Sequence, residues 1–249
     1  MPSSATTTGV YVYGVVRADE LPAVSADGVG DAPVELLERD GLAAIVSRLP
    51  DDFRMKRRDL NRHLQVIEEA FGETTVVPCA FGTVLASDAD IDTALLSGRR
   101  KELQGALSRL DGMVQLNVKA VYDPDELLRR LVSRNAELAR LRDETARLGD
   151  AGYHQRIRLG ELVAGLVDEC RRKDAQVILS ALSTTAQDVV LDDPGEYDAL
   201  KASFLVKRKQ VDRFDARLEE LARNVQPVVR LEVIGPLPPT AFAGAATAQ

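Results

Sequence analysis

Val228-Val229-Arg230-Leu231-Glu232-Val233-Ile234 runs straight into Gly235-Pro236-Leu237-Pro238-Pro239-Thr240-Ala241-Phe242. The first stretch is β-branched and aliphatic and reads as a buried strand. The second cannot pair in a sheet, because its prolines lack N–H donors and hold φ near one value. A strand that stiffens into a Pro-rich ledge ending in Phe242 places a rigid apolar element on a surface. Immediately upstream, Val211, Phe214, Leu218, Leu221 and Val225 recur at helical spacing, and Pro227 stops that helix. The ending is therefore helix, strand, ledge.

The same helix-then-strand order recurs earlier in the chain. Gly9 to Val16 is β-branched and aromatic, and reads as the first strand; a Gly/Pro/Asp-rich loop follows from about Ala18 to Ala32. Pro33–Glu38 and Leu42–Ser47 flank Asp40-Gly41, a hairpin signal. From Arg57 to Phe71, Leu60, Leu64, Ile67 and Phe71 mark the inward face of a helix that Gly72 ends. Thr74–Cys79 is a short strand closed by Pro78. Asp90–Leu110 is a second helix, with a break at Ser97-Gly98, and Met113–Tyr122 is an alternating strand. Together these predict a ferredoxin-like sheet with two helices on one side.

Asp123-Pro124 marks a domain boundary and a helix start, with Asp123 as N-cap and Pro124 at the first helical position. Leu127, Leu131, Arg134, Leu138, Leu141, Thr145 and Leu148 then form a heptad-like seam. After the turn Gly149–Gly152 a second helix, Tyr153–Lys173, returns antiparallel, presenting Leu159, Leu162, Val163, Leu166, Val167 and Cys170. Ala175–Leu182 and Ala199–Val206 read as strands around the loop Asp192–Glu196. The predicted fold class is α+β in two domains. Residues 1–8 form a flexible tail, 9–122 the ferredoxin-like domain, 123–243 a small sheet with the helical hairpin, and 244–249 a second tail.

Composition narrows the function. The chain has 249 residues, 45% hydrophobic and 4% aromatic, with no Trp, so Leu/Val/Ala packing must make its cores. No apolar run approaches the length of a membrane span, and Met1–Thr8 lacks the features of a signal peptide, so the expected compartment is the cytoplasm with no membrane partner. A net charge of −7 argues against nucleic acid as partner. The basic clusters at Arg54–Arg58, Arg99–Lys101, Arg171–Lys173 and Lys207–Lys209 sit beside acidic residues and lack interleaved aromatics. Cys79 and Cys170 read as buried thiols.

Nothing assembles into a catalytic set. His63 sits mid-helix near Arg58, Asp59 and Glu68, where a surface or interdomain hydrogen bond is its expected role, and His154 opens a helix beside Tyr153. Neither histidine has a second ligand at metal spacing. Gly28-Val29-Gly30 lacks the third glycine and the helix start of a dinucleotide site. The carboxylate pairs Asp51/Asp52, Asp192/Asp193 and Glu219/Glu220 are sequence neighbours that face apart. The chain is thus expected to be no enzyme and to need neither cofactor nor metal. Phe81-Gly82-Thr83-Val84 reads first as a strand-to-helix corner with Phe81 plugging the core, the glycine allowing a sharp turn or a close approach.

Four motifs in order give the chain a family resemblance. They are Tyr11-Val12-Tyr13-Gly14; a helix carrying His63 followed by Val77-Pro78 and Phe81-Gly82-Thr83-Val84; Phe204-Leu205-Val206 before the last helix; and Gly-Pro-x-Pro-Pro-x-x-Phe from Gly235 to Phe242. In these the chain resembles the GvpF/GvpL family of gas vesicle accessory proteins, over about residues 9–242. It departs at Ala80, where such proteins often carry Arg, and at Leu237 and Thr240, where they commonly carry Trp and Tyr. The resemblance implies a modified ferredoxin-like N-terminal domain and a C-terminal domain with a helical hairpin. It also implies a non-catalytic vesicle component or assembly factor, whose partners are the main gas vesicle shell protein and other accessory proteins. Such a protein would bind the hydrophobic shell subunit and limit its aggregation during vesicle nucleation.

Covering a shell subunit requires apolar surface on a charged exterior. The interdomain region, the ledge and the exposed edge of the N-terminal sheet are expected to supply it. The candidate partner-binding or domain-bracing residues are Phe81, Gly82, Gly235, Pro236, Leu237, Pro238, Pro239 and Phe242. Two other readings remain: a ligand-binding regulatory module with a polar pocket, and an oligomerisation scaffold pairing its heptad seams.

Overall fold

The computed structural model describes residues 7–50 and 53–244; Asp51/Asp52 and most of both expected tails lie outside them. Thr7 and Thr8, expected in the first tail, already belong to β1 (Thr7–Arg17). The chain divides into two compact units. One runs up to Gln115 and takes the chain back from Pro236, and the other is Leu116–Gly235. The boundary expected at residue 123 thus falls earlier, inside a strand.

In the first unit, β1 pairs with β3 (Leu42–Pro50), which pairs with β2 (Val34–Arg39), all antiparallel. The β2–β3 hairpin turns through Asp40 at φ 51° and Gly41 at φ 83°. Positive φ at both central residues gives the mirror-image turn whose twist matches the strands. On the other side of β1 lie β4 (Val77–Pro78) and β5 (Val84–Leu85), giving the order β2-β3-β1-β4 with β5 also on β1.

Helix α1 (Arg57–Glu73) joins the hairpin to β4. Its inward face is Asp59, His63, Val66, Ile67, Ala70 and Phe71, while Leu60 and Leu64 are 38% and 41% exposed. Counting only aliphatic residues misplaces this face, because Asp59 and His63 turn inward to polar partners. Gly72 lies within the helix and does not end it.

The loop before β2 has no helix but a 3-10 turn, Val29–Asp31. Its backbone donors are met by α1: Glu73 accepts from the Ala23 N–H, and Glu69 accepts from Ser25 and Ala26 at 2.9 and 3.0 Å. These bonds hold the Glu69 carboxyl below its usual range.

After β5, α2 (Asp88–Asp90) starts on the hydroxyl of Ser87 and passes into a π-helical stretch, Ile91–Leu96. The break expected at Ser97-Gly98 is present, and α3 (Arg100–Leu110) follows with Leu103, Leu107 and Leu110 buried. Val10, Tyr11, Val12 and Tyr13 of β1 are all buried. Successive strand residues point to opposite faces, so this sheet is covered on both sides and not on one as expected.

In the second unit, β6 (Met113–Tyr122), β7 (Asp188–Leu191), β8 (Asp198–Lys207) and β9 (Val229–Leu237) form a sheet in the order β7-β8-β6-β9. Strand β6, expected in the first sheet, belongs to this one. Both sheets place their strands second, third, first, fourth in chain order, the ferredoxin-like arrangement. The first crossover is the stapled loop in one unit and a long helical excursion in the other.

That excursion starts at α4 (Pro124–Arg134), whose N-cap Asp123 accepts from the Glu126 N–H at 3.0 Å. The helix breaks at Asn135, which caps α5 (Ala136–Leu148) by accepting from Leu138. The single helix expected from 123 to 148 is therefore two, although Leu127, Leu131, Leu138, Leu141 and Thr145 of the seam are buried. Helix α6 (Tyr153–Ser183) absorbs the strand expected at Ala175–Leu182. No Gly or Pro interrupts the chain from Leu166 to Asp193, so the helix continues and Ile178 and Leu182, one turn apart, reach the core. Helix α7 (Val211–Val225) buries Phe214, Leu218 and Leu221 as expected. Cys79 is buried, whereas Cys170 is only partly so.

Candidate partner-binding surface

Tyr11 and Tyr13, two apart on β1, both point toward α1. Their ring centroids lie 4.9 Å apart, and His63 stacks on Tyr13 at 5.8 Å. The Tyr13 hydroxyl donates to Ser47 Oγ at 2.9 Å and accepts from the Val29 N–H, which fixes the loop turn over the sheet. His63 Nδ1 lies 3.0 Å from the Tyr11 hydroxyl. The ring also bonds the Cys79 backbone in an interaction that favours its protonated form, so there the imidazole donates to a carbonyl. Nδ1 is then the acceptor, and Tyr11 donates to it. The Gly82 N–H in turn donates to the Tyr11 hydroxyl at 3.1 Å.

This polar chain grips both ends of the segment between β4 and β5. Cys79 N–H donates to the Tyr13 carbonyl, Val12 N–H to Thr83, and Thr83 N–H to Ala80, closing a turn. Gly82 takes φ 94°, the left-handed conformation that the third residue of such a turn needs. The segment is a tied loop between two short strands, not a strand-to-helix corner. Phe81 is not a core plug either: it is 39% exposed, with its ring edge-on to His63 at 5.7 Å.

Burial sets the electrostatics. Desolvation lowers the His63 pKa to about 4, so the ring is neutral at pH 7, and its bond to Tyr11 is a buried one within the first unit where a surface or interdomain bond was expected. The same desolvation raises the Tyr11 hydroxyl well above its ordinary range, raises the Tyr13 hydroxyl as well, and pushes the Cys79 thiol to about 12. None of these groups is poised as a base or nucleophile near neutrality. Among the described residues no cluster of three or more His, Cys, Asp or Glu could hold a metal ion, and no helix is long and apolar enough to cross a membrane.

Other apolar side chains are exposed on the segments next to this loop. Met55 sits beside Gly82, close enough that a Cβ on the glycine would lie 3.9 Å from the Met55 sulfur. Leu60 and Leu64, one turn apart on α1, flank His63 and are exposed with Met55 and Phe81. In the sequence Leu60 and Leu64 stand out as a helical stripe, but such a stripe reads as core and not as surface.

The ledge behaves differently. Strand β9 continues through Pro236 to Leu237 as a sheet edge, where a missing N–H is tolerated, so the ledge does begin within a strand. Only Val229 of that strand is buried, and Ile234 is 65% exposed, so the expected buried strand is an exposed one. Pro238, Pro239 and Phe242 then turn into the first unit. There the Phe242 carbonyl accepts from Arg109 of α3, and Ala241 N–H donates to Gln115 Oε1 at 2.9 Å. Phe81 and Gly82 are thus anchored on α1 and β1, and Phe242 on α3 and the start of β6.

A family model described as gas vesicle synthesis protein GvpL/GvpF matches residues 9–244. Gas vesicle protein F of Streptomyces sp. (strain CB03234) is 38% identical over 236 residues, covering 93% of this chain and 98% of its own. Gas vesicle protein L of the same strain is 29% identical over 255 residues, covering 95% and 93%. The crystal structure of GvpF from Anabaena sp. PCC7120 matches in fold with a TM-score of 0.82 at 23% identity, covering 95% of this chain and 98% of that one.

Proposed function

This chain belongs to the GvpL/GvpF family of gas vesicle synthesis proteins, and from that premise we propose that it binds the main gas vesicle shell protein and limits its aggregation before it enters the wall. The gas vesicle accessory role follows from the family. The shell-binding step, without catalysis and in the cytoplasm at the growing vesicle, is the finer reading.

The observation that carries it is the apolar patch of Met55, Leu60, Leu64 and Phe81, held on a rigid frame. A shell subunit with a water-averse face aggregates until it is incorporated. A partner that covers this face and then releases it needs apolar area presented without an ordering cost. Phe81 meets that need, because Gly82, Tyr11 and His63 fix its loop beforehand. The ledge serves as a fastening in this reading, since Phe242 is 4% exposed and has no face free to grip a subunit.

Co-expression with the shell protein tests the assignment. Leu64→Glu with Phe81→Ser should cut the soluble shell protein several-fold while this chain still melts cooperatively. If the double variant keeps as much shell protein soluble as the parent, the patch has no such role.

A further inference from the structure

A second surface lies wholly within the second unit and uses none of the patch residues. Helices α4, α6 and α7 and the start of β9 enclose an open cleft of about 790 Å³. Arg130 and Arg134, one turn apart on α4, line one side, and Arg217 of α7 lines another, with Asp174 the single carboxylate in the lining. The cleft is cationic in a chain whose net charge is −7.

The three arginines are held differently. Arg130 is committed: it pairs with Asp174, which also accepts from the Tyr122 hydroxyl at 2.8 Å. Arg217 is braced against the Ala181 carbonyl and paired with Glu220, which is not in the lining. Arg134 is exposed and makes no ion pair or hydrogen bond among the described residues. Between these cations lie Val177, 56% exposed, and the apolar side chains of Leu221, Val225 and Val228. The amides of Gln176 and Asn224 and the hydroxyl of Ser180 complete the polar lining.

We propose that this cleft docks an acidic peptide segment of a partner protein, its carboxylates meeting Arg134 and Arg217 and its apolar side chains covering Val177 and Val225. The lining argues against a nucleotide. It holds no aromatic ring on which a nucleobase could stack. Guanidinium groups beside the exposed Val177 and the half-buried Val225 and Val228 suit carboxylates carried on an apolar segment. The proposal stands apart from shell binding, because it uses a different unit and a different readout.

Fluorescence anisotropy with a labelled peptide of alternating glutamate and leucine, titrated with the full chain, tests it. Binding should weaken as salt rises. It should fall by roughly tenfold in Arg134→Glu and in Arg217→Glu, as expected where a like charge replaces a pairing one. A lysine–leucine peptide should not bind. The thermal melt of Arg134→Glu should match the parent, since that side chain is exposed, and Arg217→Glu, which loses its pair with Glu220, should still melt cooperatively. Absence of binding, equal binding of the lysine peptide, or unchanged affinity in the double variant would each refute the proposal. Displacement by inorganic pyrophosphate at lower concentration than by unlabelled peptide would also refute it, and would make the cleft a phosphate site.

Discussion

Acidification should destabilise this protein through one buried ring. His63 is 3% exposed and neutral, with a pKa lowered to about 4 from 6.5, chiefly by desolvation. Between those values the unfolded chain binds a proton that the folded chain does not. The stability associated with the neutral ring is complete above 6.5 and is lost as pH falls toward 4. Each tenfold loss of proton affinity on folding is worth about 1.36 kcal/mol, so the full window holds about 3.4 kcal/mol, and about 2.5 kcal/mol is lost between pH 7 and 4.5.

Carboxylates titrate in the same range, so the measurement must be a difference. His63→Gln keeps an acceptor for Tyr11 and a donor for Cys79 but cannot take up the proton. Urea unfolding of parent and variant at a series of pH values should give a parent advantage that shrinks by about 2.5 kcal/mol from pH 7 to 4.5. A constant difference would refute the reasoning. NMR gives an independent check, because the chain has two histidines and the ring resonance lost in His63→Gln identifies the one that should titrate near 4.

Two further substitutions test the frame around the sites. Gly82→Ala meets nothing closer than the Met55 sulfur at 3.9 Å but must adopt φ 94°, so it should lower stability by about 1–2 kcal/mol through backbone strain alone, read from a thermal melt. Phe242→Ala removes a buried ring and should cost about 3–5 kcal/mol; if the ledge is a fastening, this loss appears in urea unfolding of the purified chain with no shell protein present.

Much of the architecture was legible in local pattern. The hairpin at Asp40-Gly41, the cap at Asp123-Pro124, the break at Ser97-Gly98 and the last helix all appear where residue chemistry put them, because each depends on neighbours in sequence. The errors have a common form. Ala175–Leu182 is an apolar run short enough to suit either a strand or a helix, and the uninterrupted chain around it settles the matter for α6. Strand β6 alternates as a strand should, but alternation does not say which sheet it joins. Of the candidate site, Phe81 and Gly82 were legible as an unusual turn, whereas Leu60 and Leu64 looked like core because an aliphatic stripe normally is.

The amino-acid sequence by itself determined the two α+β halves, most element boundaries and, through four ordered motifs, the family. Only the tertiary structure decided which side of α1 is inside. Asp59 and His63 turn inward because the sheet and its loops offer them Tyr11, the Cys79 carbonyl and the Lys56 and Gly30 N–H groups as partners. A buried polar group is tolerable only when it is bonded, and those partners come from distant segments. The same long-range arithmetic turns Phe242 into the first unit and leaves Phe81 outside, reversing the roles that the two phenylalanines have when each is judged from its neighbours alone.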